Sequence, residues 1–299
     1  MDCNSGGIKR GHRMSVILAG EKFNKEKTQE IVEKFFHDGF VHIPNVLTSG
    51  EIKALIDKTD ELMDDPEIRD KVNPELGDPK YVQLYKHRIT GEEQPFILRN
   101  CIELDEIYRD MLLREPIFSL AEAVVGKDNK FCGANVLRNT PGLSIDKWHT
   151  DAAEAYFPLP EDIKKHNTNL HMPVMWFTVQ FPLTDTDSVE YGPTEYVPES
   201  HYSGRTPPEG ESVRFDGNEP VSVFAKAGDV YLHDPMCWHR GAPNTSTRTR
   251  YLFQTQYAVN WAYTRFGLYN RVPVAKNELA KSSVQMLNLL GRGKAKPTL

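Results

Sequence analysis

Long apolar runs are missing from this sequence, which excludes the simplest membrane topologies. No apolar run reaches the roughly 18–20 residues that a membrane-spanning helix needs. The first run, at residues 16–19, is also too short for the apolar region of a secretory signal. The sequence therefore predicts a cytoplasmic protein with no membrane contact.

Paired cysteines and an excess of positive charge are also missing. Cys3, Cys101, Cys132 and Cys237 form no C-x-x-C pair, which argues against a disulfide framework or a thiolate zinc site. The chain has 36 Lys and Arg against 42 Asp and Glu, a net charge of −6. A nucleic-acid binder would need a basic surface. We therefore expect a small-molecule substrate rather than a nucleic acid, and a monomer or homodimer.

The 299 residues are enough for one large domain. We expect a flexible N-terminal tail over residues 1–22 and a single catalytic domain over residues 23–299. Within that domain, the pattern predicts a helical front at about 23–126, a β core at about 127–260 and a C-terminal helical segment at about 261–299.

The helices are predicted from apolar residues at helical spacing. Ile31 and Phe35 share one face of a helix over residues 25–37, which Gly39 ends. Further helical regions are predicted from Thr48 onward, over residues 103–125 with an interruption at Pro116, and over residues 277–290.

Short β-like runs with Gly, Pro, Asn and Asp between them fill the middle of the chain. Several short strands at this density favour a sandwich or jelly roll. The predicted strands cover residues 40–44, 130–137, 145–149, 172–183, 194–198, 221–225, 230–233 and 249–257.

A candidate metal site begins at the segment Trp148-His149-Thr150-Asp151. In a strand, residues i and i+2 point to the same side, so His149 and Asp151 would face one point. His239 follows the predicted strand at 230–233 and would complete the set. Two histidines and one carboxylate on one face of a metal leave positions open, as in the facial triad of non-haem Fe(II) oxygenases.

Arg250 is the candidate for binding a co-substrate. On the strand at 249–257 it shares a face with Gln254 and Gln256, while most of the aromatic residues lie on the other face. An inward-facing arginine needs a partner, and a carboxylate satisfies its guanidinium with two hydrogen bonds. The alternative partner is an internal Asp or Glu. Arg248 is a weaker candidate because residues 245–247 look like a turn.

Two other classes of protein remain open from these residues. A cupin-type hydrolase or isomerase would use His149, Asp151 and His239 to hold zinc or manganese and would not need Arg250 inside. A catalytically inactive metal-binding barrel would have no requirement for the two histidines, the aspartate and the arginine to occur together.

The sequence resembles the phytanoyl-CoA dioxygenase family of Fe(II)/2-oxoglutarate-dependent oxygenases. The resemblance runs from about residue 28 to 260 and is carried by the opening residues 38–41, by residues 148–151, by residues 192–201 and by residues 228–233. It continues with His239, Asn244, Ser246 and Arg250 at the family's intervals. One departure is Glu199, in place of the glycine usual in Pro-Gly-Ser-His.

The resemblance implies a double-stranded β-helix, a jelly-roll, cupin-like core, with helices packed outside. It implies that His149, Asp151 and His239 bind Fe(II). It also implies that Arg250, helped by Thr194, binds the far carboxylate of 2-oxoglutarate, and that Asn135 contacts its near end. The implied reaction is oxidation of an unactivated C–H bond by O2, by hydroxylation, desaturation or cyclisation, with release of succinate and CO2.

Two variable segments are expected to contact the substrate. Residues 154–171, directly after the metal pair, are a candidate lid. Residues 80–99 carry Arg88 and Arg99, and such residues would suit an anionic substrate.

Overall fold

A computed structural model of the chain describes residues 20–74, 77–152, 155–210, 212–266 and 276–292. Most of the predicted tail lies outside these ranges. The helices are α1 Lys25–Asp38, α2 Ser49–Asp64, α3 Pro66–Arg69, α4 Cys101–Leu104, α5 Glu106–Asp110, α6 Ile117–Val125, α7 Asn260–Phe266, α8 Lys276–Lys281 and α9 Val284–Leu289. The strands are β1 Phe40–Ile43, β2 Val82–Lys86, β3 Glu93–Arg99, β4 Lys130–Asn139, β5 Trp176–Pro182, β6 Thr194–Tyr196, β7 Val221–Val223, β8 Val230–His233, β9 His239–Gly241 and β10 Arg250–Ala258.

The first two helices begin and end where local chemistry dictates. The Asn24 side chain accepts a hydrogen bond from the backbone N–H of Lys27 and caps α1. Gly39 ends α1 at φ 84°, and a Cβ there would lie 2.5 Å from Nδ1 of His201, so this position requires glycine. Thr48 and Glu51 form a capping box at the start of α2.

Seven strands form one antiparallel sheet in the order β1-β8-β5-β10-β4-β3-β2. Three short strands form a second sheet in the order β7-β6-β9. Opposed residues of neighbouring strands point to the same face of a sheet, so the register assigns each side chain to a face.

The outer face of the large sheet is apolar and is covered by helices. Phe181 and Phe253 are fully buried there, and α1, α2 and α5 pack against this face through Phe35, Leu55 and Tyr108. Fully burying one such side chain contributes about 1.5–3 kcal/mol. This layer is the main hydrophobic core.

The inner face of the large sheet faces the small sheet. Tyr231 and Leu252 on this face share a second, smaller cluster with Tyr196 of β6. Two antiparallel sheets packed in this way, with helices outside, make a double-stranded β-helix, as the sequence predicted. Within the described residues, no helix is long and apolar enough to cross a membrane.

Three predicted elements differ from the structure. Residues 145–149 form no strand: the segment meets β9 at a bridge between His149 and His239 and at one hydrogen bond of 2.8 Å, from the Gly241 N–H to the Ile145 carbonyl. The predicted helical region at 103–125 is divided among α4, α5, a 3-10 turn at Met111–Leu113 and α6. The predicted final helix is divided into α8 and α9, because Ser283 caps a new helix and its side chain accepts from the Met286 N–H.

The segment with Arg88 and Arg99 is part of the large sheet. Strands β2 and β3 form a hairpin that extends the sheet beyond β4. The sequence analysis assigned no strand there and placed these residues in the helical front.

Candidate active site

The three predicted metal ligands meet at one point. His149, Asp151 and His239 each offer a ligand atom, and these atoms lie within 4.8 Å of one another. His239 begins β9, and His149 is paired with it by two backbone hydrogen bonds of 2.9 and 3.0 Å. A further bond of 2.9 Å, from the Asp151 N–H to the Pro235 carbonyl, holds the carboxylate's backbone.

The reason for this meeting differs from the one that the sequence suggested. His149 and Asp151 do not alternate along a strand. Each is tied separately to the chain around His239, one through a single bridge and the other through a loop.

Both histidines present the same ring nitrogen to the centre. Nδ1 of His149 lies 2.8 Å from the Lys147 carbonyl, and Nδ1 of His239 lies 2.8 Å from the Cys237 carbonyl. A carbonyl can only accept, so each Nδ1 carries the proton and each Nε2 has a free lone pair. That is the tautomer in which a histidine binds a metal through Nε2.

The electrostatics keep these groups in the form that binds metal. Burial favours a raised pKa for Asp151, but the neighbouring imidazoles of His239 and His233 outweigh it, and the pKa lies well below its ordinary value. Burial, together with the neighbouring His239, lowers the pKa of His149 to about 4. At neutral pH the carboxylate is therefore charged and His149 is neutral, as metal ligands require.

His233 is a residue that the sequence analysis did not select. It ends β8, is fully buried, and places Nε2 3.0 Å from Oδ2 of Asp151. The Thr178 hydroxyl donates to the same oxygen at 2.9 Å. On the other side of the ring, Nδ1 of His233 lies 3.0 Å from the Tyr196 hydroxyl. The signal in the sequence was a histidine at the end of an otherwise apolar strand.

Arg250 lies between the two sheets without a partner for part of its guanidinium. Only 6% of the residue is exposed, and its Nε and Nη1 have no hydrogen-bond partner within the described residues. Burial lowers its pKa, while the nearby Tyr231 and Tyr196 oppose that shift. A buried cation without a partner is costly, so the site has the chemistry of a receptor for an anion.

The other predicted co-substrate residues lie on the same inner surfaces. The Thr194 hydroxyl is 2.8 Å from the Tyr231 hydroxyl and 3.4 Å from Oε1 of Gln180. Asn135 is half-buried on β4, opposite Gln254. Arg248 is exposed, and its guanidinium lies over the Tyr191 ring at 3.5 Å.

The candidate lid is held down by Arg205. Its guanidinium donates to the carbonyls of Pro160 and Ile163 at 2.8 and 2.9 Å. Beside it, an open cavity of about 1040 Å³ is lined by residues including Lys165 and Trp238. Trp238 alternates with His239, so this cavity lies on the outer side of the small sheet and includes none of the three ligands.

The sequence of this chain also matches a model of a known protein family. The model of the phytanoyl-CoA dioxygenase family matches residues 35–252 of this chain.

Solved structures with a similar fold include SnoN, SnoK and HygX. The epimerase SnoN, in complex with Fe3+, alpha ketoglutarate and nogalamycin RO, is 18% identical with a TM-score of 0.57, over 79% of this chain and 85% of SnoN. The carbocyclase SnoK from nogalamycin biosynthesis is 20% identical with a TM-score of 0.54, over 89% of this chain and 93% of SnoK. HygX from Streptomyces hygroscopicus, with nickel and 2-oxoglutarate bound, is 17% identical with a TM-score of 0.56, over 81% of this chain and 89% of HygX. At these identities the similarity establishes the fold.

Proposed function

This chain belongs to the phytanoyl-CoA dioxygenase family of non-haem iron, 2-oxoglutarate-dependent oxygenases, and from that membership we propose the reaction that it catalyses. It oxidises an unactivated C–H bond of a small organic molecule, using Fe(II), 2-oxoglutarate and O2, and releases succinate and CO2. The chemical outcome is hydroxylation, or desaturation or cyclisation.

The observation that carries this proposal is the combination of the ligand set with the unpartnered arginine. His149, Asp151 and His239 form a two-histidine, one-carboxylate set, which suits iron and leaves coordination positions open. Arg250 is buried between the same two sheets, with guanidinium nitrogens that lack a partner within the described residues. A metal hydrolase has no use for that cation, whereas a 2-oxoglutarate enzyme needs it for the far carboxylate.

The residues of the chain have distinct tasks in this proposal. When bound, iron and 2-oxoglutarate would activate O2, the oxidant, with 2-oxoglutarate supplying two electrons as it is decarboxylated. Asp151 contributes its negative charge, and His233 and Thr178 hold its carboxylate at a fixed angle by their hydrogen bonds at 3.0 and 2.9 Å. Arg250 pairs with the far carboxylate of 2-oxoglutarate.

Two neighbours complete the co-substrate site. Thr194 contributes a hydroxyl near Arg250, and Asn135 contributes an amide toward the near end of the co-substrate. The apolar and aromatic wall around Tyr196 and Leu252 limits the access of water to the centre.

Anaerobic titration of Fe(II) and 2-oxoglutarate into the metal-free protein tests the proposal. The chelate of iron with a 2-oxo acid has a weak visible charge-transfer band that neither component shows alone. We expect the band in the wild type, no band in His149→Ala, and a much weaker affinity for 2-oxoglutarate in Arg250→Ala.

Arg248→Ala is the matched control, because it removes an arginine that is two residues away and exposed. It should titrate like the wild type. Iron binding without the band, and turnover that does not depend on O2, would instead favour a cupin-type hydrolase or isomerase.

We also propose that the enzyme works in the cytoplasm on a small molecule, and that it is a monomer or a homodimer. Light scattering of the purified chain measures the oligomeric state directly.

A further inference from the structure

A row of polar side chains crosses the inner face of the large sheet. Gln180 of β5 is opposite Gln254 of β10, Gln254 is opposite Asn135 of β4, and Asn135 is opposite Arg99 of β3. Opposed residues share a face, so all four side chains point to the interior of the barrel. We call these four residues the polar row. Strands lie about 4.8 Å apart, so the row is about 14 Å long.

The polar row begins beside the metal centre. Gln180 is two residues from Thr178 on β5, on the same face, and the Thr178 hydroxyl is hydrogen-bonded to Asp151. The row therefore runs from the candidate iron ligands to a cation, Arg99, three strands away.

The side chains of the row have almost no partners in the protein. Within the described residues, Arg99, Asn135 and Gln254 make no side-chain hydrogen bond or ion pair, and Gln180 accepts one long hydrogen bond of 3.4 Å from Thr194. Side-chain polar groups that are withdrawn from solvent normally have partners, because an unmet donor or acceptor costs free energy. Three consecutive residues of this kind, in register, indicate a surface that a ligand completes.

Arg99 differs in this respect from the neighbouring arginines. Arg88, at the tip of the same hairpin, forms a salt bridge with Asp146. Arg138, on the outer face of β4, forms salt bridges with Asp60 and Asp64. Among the residues that the structure describes, Arg99 has no acidic partner, although it is half-buried on the inner face.

We propose that Arg99 and Gln254, in the polar row, line the substrate site, and that Arg99 binds a carboxylate or phosphate group of a small substrate. This inference rests on the proposed function, in which Arg250 and Asn135 are already occupied by 2-oxoglutarate. A guanidinium with no partner among the described residues presents two parallel N–H donors to such an anion. The anion fixes one end of the substrate at β3, and Gln254 binds a polar group between that end and the metal centre.

Thermal shift measurements on the full chain, loaded with Fe(II) and 2-oxoglutarate under nitrogen, test the inference. The probes are linear monocarboxylates of four to ten carbons, the primary amides of the same acids, and the alkyl phosphates of the same lengths. Loading the protein first keeps these anions away from Arg250. Ligands that bind the folded state raise the melting temperature, by an amount that increases with the ratio of ligand concentration to Kd.

We expect at least one acid or phosphate to stabilise the wild type while its amide does not. The comparison of acids with phosphates identifies which anion the site prefers. Arg99→Gln should reduce the affinity for the anion by about tenfold or more, which corresponds to one charge-assisted pair. Arg99→Lys should retain part of the preference, because it keeps the charge without the planar fork. Arg88→Gln is the matched control and should behave like the wild type.

Three results would overturn the inference: equal stabilisation by acids and amides, an unchanged preference in Arg99→Gln, or no stabilisation of the wild type by any anion. The charge-transfer band of each loaded sample separates this failure from failure of the proposed function. If the wild type forms the band but is stabilised by no anion, only the inference about the polar row is wrong. If the wild type forms no band, the proposed function is wrong as well.

Discussion

The two faces of the large sheet have opposite requirements, although the same strands supply both. On the outer face, Phe181 and Phe253 are fully buried, and their ring centroids lie 5.4 Å apart. On the inner face, Arg250 and Gln254 of the same strand as Phe253 lack hydrogen-bond partners, within the described residues, for much of their polar surface. The side chains of the outer face are packed by other parts of the chain, whereas polar side chains of the inner face lack hydrogen-bond partners within the described residues.

This difference separates what stabilises the fold from what binds ligands. Apolar contacts on the outer face are satisfied by helices of the same chain. Unpaired donors on the inner face are a cost that the rest of the molecule offsets, and a bound co-substrate or substrate removes that cost. Substitutions on the two faces should therefore have separable effects.

The largest effect is expected from the ligands themselves. Asp151→Ala and His239→Ala remove a metal ligand, and 2-oxoglutarate-dependent release of succinate should fall to the background rate. His37→Ala, which changes an exposed histidine on α1, is the control and should keep full activity. Measurable turnover in both ligand variants would contradict the assignment of the metal centre.

A neighbouring pair on β10 contrasts the two faces directly. Phe253→Ala should lower the free energy of unfolding by about 3–5 kcal/mol, because it leaves a cavity in the packed face. Gln254→Ala should change it by less than about 1 kcal/mol. Urea denaturation of the metal-free proteins measures both. Equal losses of stability would show that the inner face is also a packed core.

Arg250→Met should have opposite effects on stability and on binding. The metal-free variant should be at least as stable as the wild type, because it loses a buried charge that lacks a full set of partners. Its affinity for 2-oxoglutarate should fall by about 2–5 kcal/mol, roughly 30-fold to several thousandfold. Calorimetry gives both quantities, and Arg248→Met is the exposed control. A destabilised metal-free variant would indicate that Arg250 has a structural partner.

The smallest effect is expected from His233, which touches a ligand but not the metal. His233→Gln should weaken iron binding by about 10- to 100-fold, because Asp151 loses one of the two groups that hold its Oδ2. Tyr196→Phe, which removes only the bond to the far nitrogen of His233, should have a smaller effect. Competition with a chelator measures both, and an unchanged affinity in His233→Gln would limit that residue to packing.

Sequence patterns predicted the elements whose information is local. The helix α1 has its apolar stripe, with Ile31 and Phe35, and its terminal glycine, Gly39, close together in the sequence, and both were predicted. The jelly-roll core was also predicted, because many short strands with turn residues between them allow few alternatives. The segment with His149 and Asp151 was selected as well, and the structure brings these residues to His239.

Features that depend on contacts between distant parts of the chain could not be predicted from local sequence patterns. Residues 145–149 were predicted to be a strand, but their contacts with the small sheet, at Ile145 and His149, come from β9 about 90 residues later and form only a bridge. The hairpin of β2 and β3 lies at the edge of the sheet, where exposed and buried residues do not alternate cleanly. His233 is a site residue because the fold brings the end of β8 beside Asp151, a distant contact that the local sequence does not show.

Synthesis of this chain leaves its large sheet in two halves until late. Strands β4 and β5 never pair with each other, since β10 lies between them and is the last strand to be made. Before residue 258 exists, each half therefore has an open edge that can pair with another chain. Arg250 arrives on the strand that closes both edges, so the chain acquires the proposed receptor for the co-substrate in the same step that protects it from aggregation.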